Sequence, residues 1–175
     1  PLSFGESIPH AAIFLADDKV RNFLKPDFVI VIGRTTLSRS LNAFLNLAEK
    51  QYVIDKQAKI TDTKRSATKI FDQLPNLDIQ NISENYRRDF EVASQNSKQN
   101  LQWSEAKFAQ IFARTLPESA ALFVGSSRPI RDLEAFAESR SDLTIFANRG
   151  LAGIDGNIST TFGISNNFEN TFAVM

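Results

Sequence analysis

The feature that most restricts the fold is a recurring order: a short run of β-branched apolar residues, then a stretch with helical spacing. Phe28–Ile32 reads FVIVI, led in by Lys25-Pro26-Asp27 and stopped by Gly33. A run of that length without polar alternation suits a buried parallel strand. After it, Thr36 is placed to cap a helix whose Leu37, Leu41, Phe44, Leu45 and Ala48 recur every three to four residues and so share one face. A second strand over Gln51–Asp55 follows, then polar residues Lys56–Arg65 and a helix near Ser66–Gln73 that ends at Leu74-Pro75.

From Leu77 to Asn100 the chain turns polar, as a surface helix or linker does, and a domain boundary is expected inside it. Beyond it Ser104 caps a helix with the apolar stripe Phe108, Ile111, Phe112 and Thr115-Leu116, ended by Pro117. Strand Ala120–Val124, turn Gly125-Ser126-Ser127, helix Arg128–Glu138, strand Leu143–Ala147, a helix start at Asn157–Ile164 and a last strand at Phe172–Met175 complete the reading. Strand and helix alternate on both sides of the boundary. The expected fold class is therefore α/β, with parallel sheets flanked by helices in two units.

Composition excludes several functions. With 42% hydrophobic and 23% charged residues the chain is of ordinary globular make-up, and no apolar run reaches the roughly 20 residues of a membrane span. Net charge is zero and the basic residues are scattered, so nucleic acid is not an expected partner. There is no cysteine and a single histidine, His10, which removes disulfide scaffolds, thiolate zinc sites and an unaided Ser-His triad. The chain starts at Pro1 with no signal-like stretch, as if cut and not targeted.

In open parallel sheets ligands gather at the carboxyl ends of strands, which singles out three loops. Gly33-Arg34-Thr35-Thr36-Leu37-Ser38-Arg39 sets two guanidinium groups and three hydroxyls by a helix N-terminus, where a carboxylate or phosphate fits. Taken alone it also reads as an ordinary capped turn with solvated arginines. Gly125-Ser126-Ser127-Arg128-Pro129-Ile130-Arg131 is similar, and Arg131 is suited to bidentate carboxylate recognition. It also reads as a strand-to-helix turn with Pro129 in the first helical turn. In the third loop Gly150, Gly153 and Gly156 surround an apolar Ile154, so the backbone bends sharply or approaches a ligand closely. Their spacing fits no nucleotide fingerprint. His10 reads as a helix-surface or partly buried residue, Asp17-Asp18 as a solvated cap and Trp103 as an anchor for the helix that follows it.

FVIVIGRTTLSRSL, LFVGSSRPIRDLE and ANRGLAGIDGNISTTFGI together resemble the central and cofactor-binding regions of the 2-succinyl-5-enolpyruvyl-6-hydroxy-3-cyclohexene-1-carboxylate synthases of menaquinone biosynthesis, a thiamine-diphosphate-dependent family. The resemblance spans most of residues 27 to 165, with NRGxxGIDGxxST its strongest part. It implies that residues 1–95 are the remainder of a Rossmann-like central domain and 96–175 the N-terminal part of an incomplete diphosphate-binding domain.

What the resemblance implies for chemistry is a transferase that decarboxylates 2-oxoglutarate and adds the succinyl-semialdehyde carbanion to isochorismate, in a cytoplasmic homo-oligomer (dimer or tetramer). Thiamine diphosphate and Mg²⁺ are the implied cofactors. The metal ligands are expected beyond Met175 and the catalytic Glu in a pyrimidine-binding domain, so the chain alone is expected to be inactive. Ile154, flanked by Ala152 and Gly153, matches the residue that props the bent cofactor. Arg131 and Arg149 match arginines associated with substrate carboxylates, and Ser127 matches a hydroxyl residue lining the same pocket. Arg39 stands where many relatives place Lys, and Ser126 where some place Asn, which weakens the carry-over there. Two alternatives stay open: a non-catalytic α/β module for an anionic metabolite, and another thiamine-diphosphate enzyme of the decarboxylase or acetohydroxyacid synthase type.

Overall fold

The computed structural model describes residues 7–35, 38–56, 66–75, 83–97, 101–148 and 153–175. The chain forms two compact units, one of Ala11–Lys98 and one that joins Gln99–Met175 to the N-terminal stretch Pro1–His10. Each carries a three-stranded parallel sheet, so the expected α/β class holds in both.

The first unit runs α1 (Ala11–Phe14), α2 (Asp18–Phe23), β1 (Phe28–Ile32), α3 (Arg39–Leu45), β2 (Lys50–Ile54), β3 (Lys69–Phe71) and α4 (Glu84–Asn96), with strand order β1-β2-β3. Asp17 caps α2 as expected, its carboxylate accepting from the Lys19 and Val20 amides. The helix expected at Ser66–Gln73 is instead β3: Lys69, Ile70 and Phe71 pair in parallel with Tyr52, Val53 and Ile54. Pairing partners distant in sequence override the local helical spacing there. Thr36 lies outside the described residues. The cap of α3 is Ser38, whose Oγ accepts from the Leu41 amide at 3.2 Å. The polar stretch after Leu77 contains a thirteen-residue helix, α4, whose Phe90 meets Phe14, Phe44 and Tyr86 edge-on at 5.9, 5.7 and 5.1 Å. Phe14 and Phe44 are buried, as are Leu15, Leu24, Val29 and Val53 of this unit, while Phe90 and Tyr86 are half-buried. β1 is not the doubly covered strand its composition suggests. It ends the described sheet, and Phe28 and Ile32 are 45% and 51% exposed.

The second unit runs α5 (Glu105–Thr115), β4 (Ala121–Val124), α6 (Arg128–Phe136), β5 (Thr144–Phe146), α7 (Gly156–Ser165) and β6 (Thr171–Val174), in strand order β5-β4-β6. β4 is buried along its whole length. Alternate residues of a strand face opposite sides. Leu122 and Val124 pack on one side with Leu116, Phe112, Ile130 and Leu133 of the α5–α6 layer. Ala121 and Phe123 pack on the other with Ile164 of α7 and Phe168. The chain leaves β4 in one direction to reach β5 and then crosses back to β6. Right-handed crossovers in opposite directions put their helices on opposite faces, as observed.

Three expectations for this unit change. The buried side of α5 is Ala106, Ala109 and Ala113, while Phe108 is 43% exposed. Small residues allow a close helix approach, and of the expected stripe Phe112 and Leu116 do pack against the core while Phe108 does not. Trp103 anchors nothing, being 80% exposed. His10, expected at a helix surface or partly buried, is fully buried. Its Nδ1 lies 2.9 Å from the carbonyl of Ala135, which can only accept, so Nδ1 carries the proton. The last strand stands where expected: β6 is paired in full with β4, while Ile158 and Phe162 of the preceding α7 are each 71% exposed.

Candidate functional site

Because the three strands of the second unit run parallel, their carboxyl ends share one edge of the sheet. That edge carries Gly125-Ser126-Ser127 after β4, Ala147-Asn148 and then Gly153-Ile154 after β5, and Met175 after β6. β4 is where the strand order reverses, the position at which open α/β sheets form ligand crevices.

Close packing fixes the first loop at its root. The Gly125 amide donates to the Val174 carbonyl at 2.7 Å. A Cβ on Gly125 would stand 3.1 Å from Met175 Cα. Two residues on, Ser127 takes φ 78° and ψ −119°, a left-handed conformation that non-glycine residues seldom adopt. Its hydroxyl makes no cap to α6, and Ser126 and Ser127 are both exposed.

Two arginines on the first turn of α6 are disposed differently. Arg128 Nε donates to both carboxylate oxygens of Asp132, at 2.9 and 2.8 Å, and Asp132 is buried. This hydrogen bond, with the carboxylate's charge, holds the Arg128 guanidinium above its ordinary pKa. Arg131 is exposed and makes no ion pair or hydrogen bond among the described residues, so its planar donor fork is available to a carboxylate. Sequence reasoning did not single out Asp132. The signal was the i, i+4 spacing of Arg128 and Asp132 on one helix.

On the third loop Ile154 is 85% exposed, an apolar side chain at the edge of the sheet without a covering neighbour. The Asn157 amide returns to its carbonyl at 3.2 Å as α7 begins. Ser126, Ser127, Arg131, Gly153 and Ile154 thus belong to one unit and one sheet edge. Arg149 and Ala152 lie outside the described residues. Arg39 is exposed at the start of α3 and belongs to the other unit. Among the described residues no group of three or more His, Asp or Glu could hold a metal ion. No described helix is long and apolar enough to cross a membrane.

Parallel strands, helices on both faces and glycine- and serine-bearing loops at the carboxyl edge define an α/β unit of the kind that thiamine-diphosphate enzymes use. Comparison of sequences identifies the chain more closely as synthase-like: it is similar to one segment of the 2-succinyl-5-enolpyruvyl-6-hydroxy-3-cyclohexene-1-carboxylate synthases. It is 30% identical to that of Oceanobacillus iheyensis over 87% of this chain, 33% identical to that of Thermobifida fusca over 79%, and 29% identical to that of Listeria monocytogenes over 93%. The chain spans only 30%, 27% and 31% of those relatives' lengths. No family model matches it.

Proposed function

We propose that this chain supplies substrate- and cofactor-facing parts of a thiamine-diphosphate-dependent transferase that decarboxylates 2-oxoglutarate and joins the remaining four-carbon unit to isochorismate. In this reading residues up to about 95 serve as central domain and those after it as the start of the diphosphate-binding domain. The observation that carries the reading is the shared sheet edge: an unpaired Arg131, two exposed serines and an uncovered Ile154 at the carboxyl ends of adjoining strands. Both substrates are polycarboxylates, which suits Arg131 with Ser127, and by resemblance Arg149, Ser126 and Arg39.

An exposed aliphatic side chain beside polar loops fits a flat heteroaromatic cofactor, and Ile154 would hold thiamine diphosphate from beneath, with Ala152 and Gly153 giving its rings access to backbone. When bound, the cofactor supplies the electron sink for decarboxylation. The chain's own residues orient and neutralise carboxylates and shield an apolar surface. Mg²⁺ is required in the proposal, but no cluster among the described residues suits it, so metal ligation and the catalytic carboxylate are not assigned to this chain. On the same grounds the isolated chain should not turn over.

Titration calorimetry tests this directly. The chain should bind 2-oxoglutarate more tightly than acetate, and Arg131→Ala should remove the difference. CO₂ release by the isolated chain with thiamine diphosphate, Mg²⁺ and both substrates would overturn the division of labour proposed here.

A further inference from the structure

One polar cluster at the sheet edge matches none of the residues that the resemblance assigns. Asn148 lies just after β5, and its Nδ2 is 3.4 Å from Asn157 Oδ1 and 3.2 Å from Thr160 Oγ1. The Thr160 hydroxyl is also 3.4 Å from Asn148 Oδ1, so the carboxamide and the hydroxyl can exchange donor and acceptor roles. All three side chains are half-buried. Thr161 Oγ1 in turn donates to the Asn157 carbonyl at 2.8 Å, which steadies the first turn of α7. Among the described residues no other hydrogen bond joins the end of β5 to the start of α7. Asp155 makes no side-chain cap there.

We infer that Asn148 is a positioning residue: its side chain ties the end of β5 to the first two turns of α7 and so fixes where Ile154 stands relative to the sheet edge. Ile154 has no packing of its own to hold it, since it is 85% exposed. Three hydrogen bonds across nine and twelve residues of sequence restrict it without filling the space above it. A hydrophobic residue at 148 could pack but could not orient. The inference rests on the proposed function only for what Ile154 faces; the tie itself stands on geometry.

Hydrogen exchange followed by mass spectrometry on the full chain tests it. Asn148→Ala and Thr160→Val should each speed exchange across residues 153–160 about fivefold, the effect of losing roughly one net hydrogen bond. The double variant should be no faster than Asn148→Ala alone, because that change already removes both bonds to Thr160. Thr160→Ser keeps the hydroxyl and should restore protection. Exchange in β4 should stay slow throughout, showing that the fold survives. Where one variant loses β4 protection, the Thr160→Val and Thr160→Ser pair decides. Unchanged exchange in the single variants, or additive effects in the double, would overturn the tie. Calorimetry with thiamine diphosphate and Mg²⁺ separates the two readings. Weakened binding in the variants that exchange faster supports both. No binding by the unmodified chain, with the exchange pattern intact, removes the functional reading and leaves the tie.

Discussion

Gly125 approaches the end of β6 so closely that any side chain there meets backbone: an added Cβ would lie 3.1 Å from Met175 Cα and 3.2 Å from the Val174 carbonyl oxygen. Space, and not a left-handed backbone, makes this position glycine. Gly125→Ala should strain the β4–β6 junction and destabilise the chain by about 1 to 3 kcal/mol, the usual range for overpacking. A thermal melt of the variant beside the parent checks it, and an unchanged midpoint would mean that β6 gives way freely.

The two arginines of α6 should separate stability from binding. Removing Arg128 leaves the buried Asp132 carboxylate without its donor, so Arg128→Met should lower stability measurably. Arg131 touches nothing described, so Arg131→Ala should stay within about 0.5 kcal/mol while weakening carboxylate binding. Urea denaturation of both variants, paired with ligand titration, measures the contrast; equal stability losses would show that Arg131 is structural.

Acid should loosen the C-terminal end of α5. Arg140 donates to the carbonyls of Ala113 at 2.9 Å and Leu116 at 3.2 Å, and its Nε and Nη2 hold Asp142 at 2.7 and 2.5 Å. The hydrogen bond from Arg140 lowers the Asp142 pKa to about 2 from an ordinary 3.8. A carboxylate whose pKa is depressed on folding contributes stability that is complete above the unfolded value and lost as pH falls through the folded one. The contribution should therefore disappear between about pH 4 and pH 2. Asp142→Asn should abolish that part of the pH dependence, read as denaturation midpoints at pH 5 and pH 2.5.

Tyr86 should make the first unit sensitive to base. Its hydroxyl donates to the Leu24 carbonyl at 2.9 Å, and burial, with Asp27 nearby, raises its pKa above 10.0. The protonated form is the one the fold retains, so its contribution is present below the unfolded pKa and lost as pH rises through the folded value. Tyr86→Phe should lower stability by about 1 kcal/mol near neutrality and flatten the loss above pH 10. Circular dichroism melts across that range measure it.

The single Trp103 offers a check on an exposed position. Being 80% exposed, it should emit as a water-exposed indole, quench readily with iodide, and tolerate Trp103→Ala within about 0.5 kcal/mol. A blue-shifted, protected emission would place it in an interface instead.

Much of the architecture could be read from local pattern. β1, β2, β4 and β5 lie within a residue or two of where their apolar runs put them, and Ser104 caps α5 as its position indicated. The three loops at strand ends followed from that order, because a parallel alternation leaves few places for a ligand. Where pattern failed, a distant partner had decided. Lys69–Phe71 became a strand because β2 offered it hydrogen bonds, and α5 buries Ala106, Ala109 and Ala113 while Phe108 is left exposed.

The sequence by itself determined the α/β class, the extent of most elements and the residue types, Arg131, Ser127 and Ile154 among them, that make the carboxyl edge of the second sheet a plausible binding edge. Its spacing is a local property, set by side-chain period and capping chemistry. Only the tertiary structure decided that β4 is the central strand with helices on opposite faces, that Asp132 occupies Arg128 while Arg131 has no ion pair among the described residues, and that Asn148 reaches Thr160 across the loop. These depend on which strands pair and which faces close, and pairing is a competition among residues far apart in the chain, which no local period records.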